Sequence, residues 1–161
     1  MRNGKQKGFS LIELLIVVAI ILIIAAIAIP NLLRSKMAAN EASAVASLRT
    51  YNTAIVSYQT TYNTDPSTDF SQLGPSATPS STAADLVDNL LGASGTPSKS
   101  GYAFTYAPGA VSSGIISTYT ITAIPLTQNV TGQRQFFTDQ SGVIRQTTDG
   151  TAPTAASNPI G

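Results

Sequence analysis

The sequence predicts an α+β fold in which one long N-terminal helix packs against a C-terminal antiparallel sheet of about four strands. Three observations predict it: an apolar run over residues 9–29, apolar residues at helical spacing as far as residue 62, and short alternating segments after residue 101. Helical spacing indicates one buried helix face, and alternation indicates strands with one buried face. Each of these faces needs a partner, so we expect the helix to lie on the sheet.

The composition excludes several kinds of functional site. The 161 residues include no cysteine and no histidine, which removes disulfides, zinc-thiolate sites and the commonest general base. Asp85 and Asp88 lack the dense oxygen-ligand spacing of a calcium site. Charged residues make up 11% of the chain and form no basic tract suited to nucleic acid. We therefore expect no metal, no cofactor and no direct binding of nucleic acid.

The N-terminal region combines a polar basic leader, residues 1–8, with the apolar segment 9–29. A helix over this segment would be about 31 Å long, which matches the hydrocarbon core of a bilayer. The basic leader favours a cytoplasmic N-terminus, with everything after Pro30 outside. The single charge of the segment is Glu13, which costs roughly 2.5–3.5 kcal/mol at mid-depth and less near an interface. Glu13 therefore either reaches toward the headgroups or has a partner.

The helix is expected to continue through residues 30–63. Pro30 lacks an amide hydrogen, so it predicts a kink or local melting of the helix, or alternatively a plain helix boundary. Asn63 and the pair Asp65-Pro66 are expected to end the helix. The apolar stripe of this half consists of Leu33, Met37, Ala44, Leu48, Tyr51, Ile55, Tyr58 and Tyr62.

Three further segments complete the predicted organisation. Residues 64–101 form a loop with one short helix over residues 84–91, capped by Thr82 and stopped by Gly92. Residues 102–150 form the sheet, with Tyr119, Ile121 and Ala123 on one face and a hairpin loop at residues 139–142. Residues 151–161 form a flexible tail. The predicted strands cover residues 102–106, 117–125, 134–138 and 143–147.

Residues 7–34 read K-G-F-S-L-I-E-L-L-I-V-V-A-I-I-L-I-I-A-A-I-A-I-P-N-L-L-R. They resemble the N-terminal signature of type IV prepilins and pseudopilins: a basic leader ending in glycine, then Phe, then Glu five residues after the cut. The resemblance implies that a prepilin peptidase cuts between Gly8 and Phe9 and N-methylates Phe9. It also implies that Glu13 pairs with the new Phe9 amine of a neighbouring subunit. A pair within one chain stays open, because residues four apart share a helix face.

The function implied by the resemblance is that of a structural subunit of a type IV pilus, with no enzymatic activity. Such a prepilin enters the bacterial inner membrane, is processed, and polymerises with copies of itself on a membrane assembly platform. Glu13 and Pro30 are the expected assembly residues. The cell-surface filament would serve adhesion, twitching motility or DNA uptake. Many pilins of this family close a C-terminal loop with a disulfide, which this chain cannot form.

Two alternatives remain. The first is a pseudopilin of a type II secretion system, which shares the N-terminal signature and forms a periplasmic pseudopilus. The second, more remote, is a single-pass membrane enzyme. Without histidine or cysteine, such an enzyme would be limited to serine or aspartate chemistry, and the sequence contains no G-x-S-x-G motif.

Overall fold

The computed structural model describes residues 8–160, so predictions about the rest of the leader lie outside the described residues. One compact unit ends at Ser35 and a second begins at Lys36. A 52-residue helix, α1 (Leu11–Tyr62), contributes to both units. A short 3₁₀-helix (Phe70–Leu73) and six strands follow: β1 (Ser98–Lys99), β2 (Tyr102–Pro108), β3 (Tyr119–Pro125), β4 (Gln135–Asp139), β5 (Arg145–Thr147) and β6 (Asn158–Pro159).

The first unit consists of the N-terminal stretch of α1 and the three residues before it. Its apolar side chains are exposed all round the helix, with Ala25 half-buried. Within residues 8–160 this is the one helix long and apolar enough to cross a membrane, judged by length and composition. The helix passes through Pro30 without ending there, so the alternative of a helix boundary is wrong. Because proline donates no amide hydrogen, the Ala26 carbonyl has no helical donor.

In the second unit, α1 buries the stripe that the sequence predicts. Ala44, Leu48, Tyr51, Ile55 and Tyr58 are buried, and Tyr62 packs against the same cluster. The two upstream members of the predicted stripe are less buried: Met37 is half-buried and Leu33 is exposed. The helix ends as predicted, with Asn63 in a left-handed conformation at φ 57°. Most of the stability of such an amphipathic helix comes from the packing of this stripe against the rest of the domain.

The sheet is an antiparallel meander with the strand order β1-β2-β3-β4-β5-β6. The predicted fold class is confirmed, with six strands in place of about four. Tyr119, Ile121 and Ala123 of β3 are buried, as predicted from their alternation. The register places Ala123 between Phe104 of β2 and Phe136 of β4, and all three belong to the core that includes α1.

Residues 84–91 form bends and turns instead of the predicted short helix. Their backbone amides donate to another segment: Ala84 to the Gln72 carbonyl, Asp85 to Gly74, and Leu86 to Leu73, at 2.8–2.9 Å. Bonds to residues ten or more positions earlier replace the i−4 bonds of a helix, so local helical signals do not decide this segment.

The C-terminal tail contains β6, a strand that the sequence does not predict. Ile160 donates its amide to the Ile144 carbonyl at 3.0 Å and packs against the core. Phe137 lies on the sheet face opposite Phe136, yet it is only 7% exposed. Phe137 and Ala155 line one cavity of about 310 Å³, so the tail borders the same space as Phe137 on this side of the sheet. The tail therefore joins the sheet through β6 and the core through Ile160, in a domain that has no disulfide.

Candidate assembly site

The predicted cleavage point lies just before α1. Gly8, Phe9 and Ser10 have no regular secondary structure, and the side chain of Phe9 is 82% exposed. A Cβ atom added at Gly8 would meet no atom within 4 Å. Within the described residues the Gly8–Phe9 bond is therefore sterically open to an enzyme that binds an extended peptide. Cleavage at this bond and methylation of Phe9 stay predictions.

Glu13 has a partner within its own chain. Ser10 is the N-cap of α1, because its carbonyl accepts the first helical bond, from the Leu14 amide at 3.2 Å. The Ser10 amide donates to Glu13 Oε2 at 2.9 Å, which is one half of a capping box. The carboxylate also lies in the first helical turn, where the helix dipole stabilises negative charge. In the uncut chain, the Glu13 carboxylate thus already accepts one hydrogen bond before any processing.

The sequence contains the signal for this contact, although the sequence analysis missed it. Ser10-Leu11-Ile12-Glu13 is the S-x-x-E pattern before an apolar run. The structure also bears on the alternative that Phe9 and Glu13 pair within one chain, which assumed that both residues lie on one face of the helix. Phe9 precedes α1, so Phe9 and Glu13 do not share a helix face in the uncut chain.

The predicted assembly residues occupy two separate places. Gly8, Phe9 and Glu13 lie within six positions of one another, at the start of α1. Pro30 lies seventeen positions after Glu13, which corresponds to about 26 Å along a helix. The structure therefore groups the processing residues with Glu13 and leaves Pro30 apart. The roles of Glu13 and Pro30 in assembly stay predictions.

In the second unit, an ion pair between a buried carboxylate and a partly exposed arginine, which was not predicted from the sequence, ties α1 to the loop between β3 and β4. Glu41 is 7% exposed. Its Oε1 accepts hydrogen bonds from the amides of Gln133 at 2.8 Å and Arg134 at 3.1 Å, and its Oε2 accepts one from Arg134 Nε at 2.8 Å. Burial raises the pKa of Glu41, but these bonds and the Arg134 charge outweigh it and lower the pKa below 4.5. Glu41 is therefore held as a carboxylate.

Other contacts hold the same loop between β3 and β4. The Asn40 side-chain amide donates to the Thr131 carbonyl at 2.8 Å, and the Tyr102 hydroxyl donates to the Arg134 carbonyl at 2.7 Å. A Cβ atom at Gly132 would lie 2.0 Å from the Tyr102 hydroxyl oxygen, so the close approach requires glycine. Glu41 lies three positions before Ala44 on the apolar stripe, and this placement is the signal that could have predicted a paired carboxylate.

A second buried carboxylate lies beyond the end of α1. Asp65 is 2% exposed, and its Oδ2 atom has no hydrogen-bond donor among the described residues. Its amide donates to the Ile116 carbonyl at 2.9 Å, which fixes the backbone at this point. Burial raises the pKa of the Asp65 carboxyl. Asp65 therefore differs from Glu41, whose carboxylate is fully paired.

Comparisons with known proteins identify a sequence motif at the N-terminus that includes Gly8, Phe9 and Glu13. The sequence profile of the prokaryotic N-terminal methylation motif matches residues 3–29. The chain is 49% identical over 65 residues to the type IV wide pilus major component of Thermus thermophilus, covering 40% of this chain and 45% of the relative. It is 46% identical over 56 residues to the type IV major pilin protein of Myxococcus xanthus, covering 35% of this chain and 26% of the relative.

A further relative comes from protein secretion. The chain is 32% identical over 69 residues to the type II secretion system core protein G of Aeromonas hydrophila, covering 43% of this chain and 48% of the relative. The chain thus spans between about a quarter and a half of the curated relatives it matches. No solved structure matches it. The chain carries the prokaryotic N-terminal methylation motif and, over 35–43% of its length, is similar to type IV pilins and, at lower identity, to the type II secretion core protein G.

Proposed function

We propose that this chain is a structural subunit of a type IV pilus and is not an enzyme. One observation carries the proposal: the methylation motif over residues 3–29 coincides with an exposed Gly8–Phe9 bond directly before a helix able to cross a membrane. Cutting there by a prepilin peptidase leaves the apolar helix on the mature protein. A protein that keeps an apolar helix exposed all round needs lipid or other copies of that helix around it.

The steps follow from the residues at the start of α1. Cleavage turns the peptide nitrogen of Phe9 into an amine, which the peptidase methylates. Glu13 then has two donors available: the Ser10 amide of its own chain and the Phe9 amine of a neighbour. A charge pair within an apolar bundle fixes register, because a shifted helix would leave both charges unpaired.

The chain begins in the inner membrane with its N-terminus in the cytoplasm and ends at the cell surface in the filament. The bilayer is its partner before assembly, and the assembly platform transfers it to the growing polymer. The second unit, with its six-stranded sheet, forms the outside of the filament. Adhesion, twitching motility and DNA uptake are properties of that filament.

The second candidate is a pseudopilin of a type II secretion system. The similarity to the core protein G supports it, at 32% identity against 49% and 46% for the two pilins. A short periplasmic pseudopilus uses the same processing and the same helix. The higher identity to pilins favours the pilus.

Two measurements test the proposal. Mass spectrometry of the mature chain should show a start at N-methylated Phe9, and an intact Met1 would contradict processing. Surface filaments sheared from cells should consist mainly of this chain. Normal secretion together with lost filaments in a deletion strain supports the pilus, whereas lost secretion without any surface filament supports the pseudopilus.

A further inference from the structure

In the second unit, α1 presents a face that the sheet does not cover, here called the outer face of α1. It consists of the exposed residues Ala39, Ala42, Ala46, Arg49, Thr53, Val56 and Thr60. Their spacing alternates strictly between three and four positions. An average spacing of 3.5 is the repeat with which two helices pack side by side over several turns. The outer face therefore has the pattern of a helix-packing surface, opposite the stripe that binds the sheet.

Arg49 is the one charged residue of the outer face of α1. Among residues 8–160 the ion pairs are Lys99 with Asp88 and Arg134 with Glu41, so Arg49 has no acidic partner there. Arg49 lines a cavity of about 360 Å³ together with Thr53 and Leu86. It also lines a second cavity of about 250 Å³ with Val143 and Ile160. Arg49 thus contributes to two grooves beside α1.

Asp85 is the matching free carboxylate. It is exposed in a turn with φ 56°, and its side chain accepts no hydrogen bond within the part of the chain that the structure covers. Asp85 directly precedes Leu86, which lines the larger groove. The other surface carboxylates of the second unit all accept hydrogen bonds: Asp69, Asp88, Asp139 and Asp149. Arg49 therefore lines a groove to which the residue after Asp85 also contributes, and no ion pair joins Arg49 to Asp85.

We propose that the outer face of α1 docks against a second copy of this chain, and that Arg49 of one copy pairs with Asp85 of the other. This inference rests on the proposed function and specifies one of its subunit contacts. The charge complementarity identifies the occupant, because every copy presents both Arg49 and Asp85, and neither forms an ion pair among the described residues. A single charged position in a helix-packing repeat fixes register, since a shifted partner would leave the charge unpaired.

Charge reversal across two chains tests the pairing. Arg49→Glu and Asp85→Arg are each expressed as the sole copy, and then together in one cell, with sheared filaments measured by sedimentation. Each single variant should lose at least about tenfold in filament yield, because a like-charge contact replaces an attractive one. Co-expression should restore the yield, because reversed Arg49 in one chain then faces reversed Asp85 in the other. Normal assembly of either variant alone would overturn the pairing.

The co-expression arm also distinguishes a contact between copies from one within a copy. If Arg49 pairs with Asp85 of its own chain, co-expression restores nothing and the proposal fails. Asp149→Arg is the matched control, because it reverses another exposed carboxylate, and it should leave the yield near wild type. Arg49→Lys should also assemble. Near-ultraviolet circular dichroism of each variant should match the wild type, which separates loss of contact from misfolding.

Cross-linking tests the contact whether or not filaments form. The chain contains no cysteine, so a chain with Arg49→Cys and a chain with Asp85→Cys supply the only thiols. Treatment of membranes containing both chains with a short bismaleimide should yield dimers of the two. Dimers without filaments would overturn the pilus and keep the contact, whereas filaments without dimers would overturn the contact.

Discussion

Replacing Glu41 by glutamine should destabilise the second unit through one defined change. The side chain keeps its shape, but the negative charge facing Arg134 is lost. Glutamine can still accept from the amides of Gln133 and Arg134 through its oxygen. Its amide group would then face Arg134 Nε, so two donors would be opposed where a 2.8 Å charged hydrogen bond exists now.

The structure sets the size of the effect. Breaking a buried ion pair by removing one partner costs about 3–5 kcal/mol. The Arg134 side chain is 38% exposed and can turn toward water, so we expect a smaller loss of about 2–3 kcal/mol. For a domain of this size that corresponds to a fall in the unfolding midpoint of about 10 °C.

The assay is thermal unfolding of the full chain in detergent. The near-ultraviolet circular dichroism of the buried tyrosines reports the unfolded fraction at each temperature. Lys99→Gln is the matched control, because it breaks an exposed ion pair whose side chains are 33% and 53% accessible. Exposed pairs contribute little, so this control should change stability by less than about 1 kcal/mol.

The effect should also depend on pH. Glu41 has a lowered pKa in the folded state, so its stabilisation is present above the ordinary value of 4.5 and is lost as the pH falls through the folded pKa. The gap between wild type and Glu41→Gln should therefore close in acid. Equal midpoints at pH 7, or a gap that stays constant down to pH 3, would refute the reasoning.

Three further predictions concern other contacts. In the uncut chain in micelles, the Ser10 amide hydrogen should exchange with solvent more slowly in the wild type than in Glu13→Ala, because Glu13 accepts its hydrogen bond; equal exchange rates in the two chains would contradict the cap. Asp65→Asn should raise the unfolding midpoint at pH 7, because burial raises the Asp65 pKa and the charged form opposes folding. The gap should shrink as the pH falls through that raised pKa, and a less stable variant at pH 7 would count against it. Deleting residues 151–161 should cost at least about 2 kcal/mol, because β6 and the packing of Ile160 on the core are lost, and should increase binding of a hydrophobic dye; unchanged unfolding would show that the tail contributes nothing to stability.

The periodic parts of the fold were predictable from the sequence. The stripe from Ala44 to Tyr58 and the inward residues of β3 follow directly from repeats of 3.6 and 2. Asn63 marks the helix end because asparagine tolerates the left-handed conformation found there. These features depend on neighbours in sequence, and local signals describe them correctly.

The candidate site was partly predictable. The Gly8–Phe9 bond and Glu13 were identified from residue order, but the hydrogen bond from Ser10 to Glu13 was missed although its pattern is local. Glu41 was missed for another reason. Its partners, Gln133 and Arg134, lie 92 and 93 positions away, and no local repeat indicates which loop returns to the helix.

The sequence by itself determined the processing motif, the membrane-length helix and the α+β class. A peptidase binds a short run of residues, and a bilayer accommodates a continuous apolar segment. Both features therefore depend only on the order of neighbouring residues. Tertiary contacts are what make residues 84–91 bends and turns, join the tail to the sheet, and bring Glu41 to the loop before β4. Each of these depends on hydrogen bonds or packing between segments distant in sequence, which form only when the whole domain closes around its core.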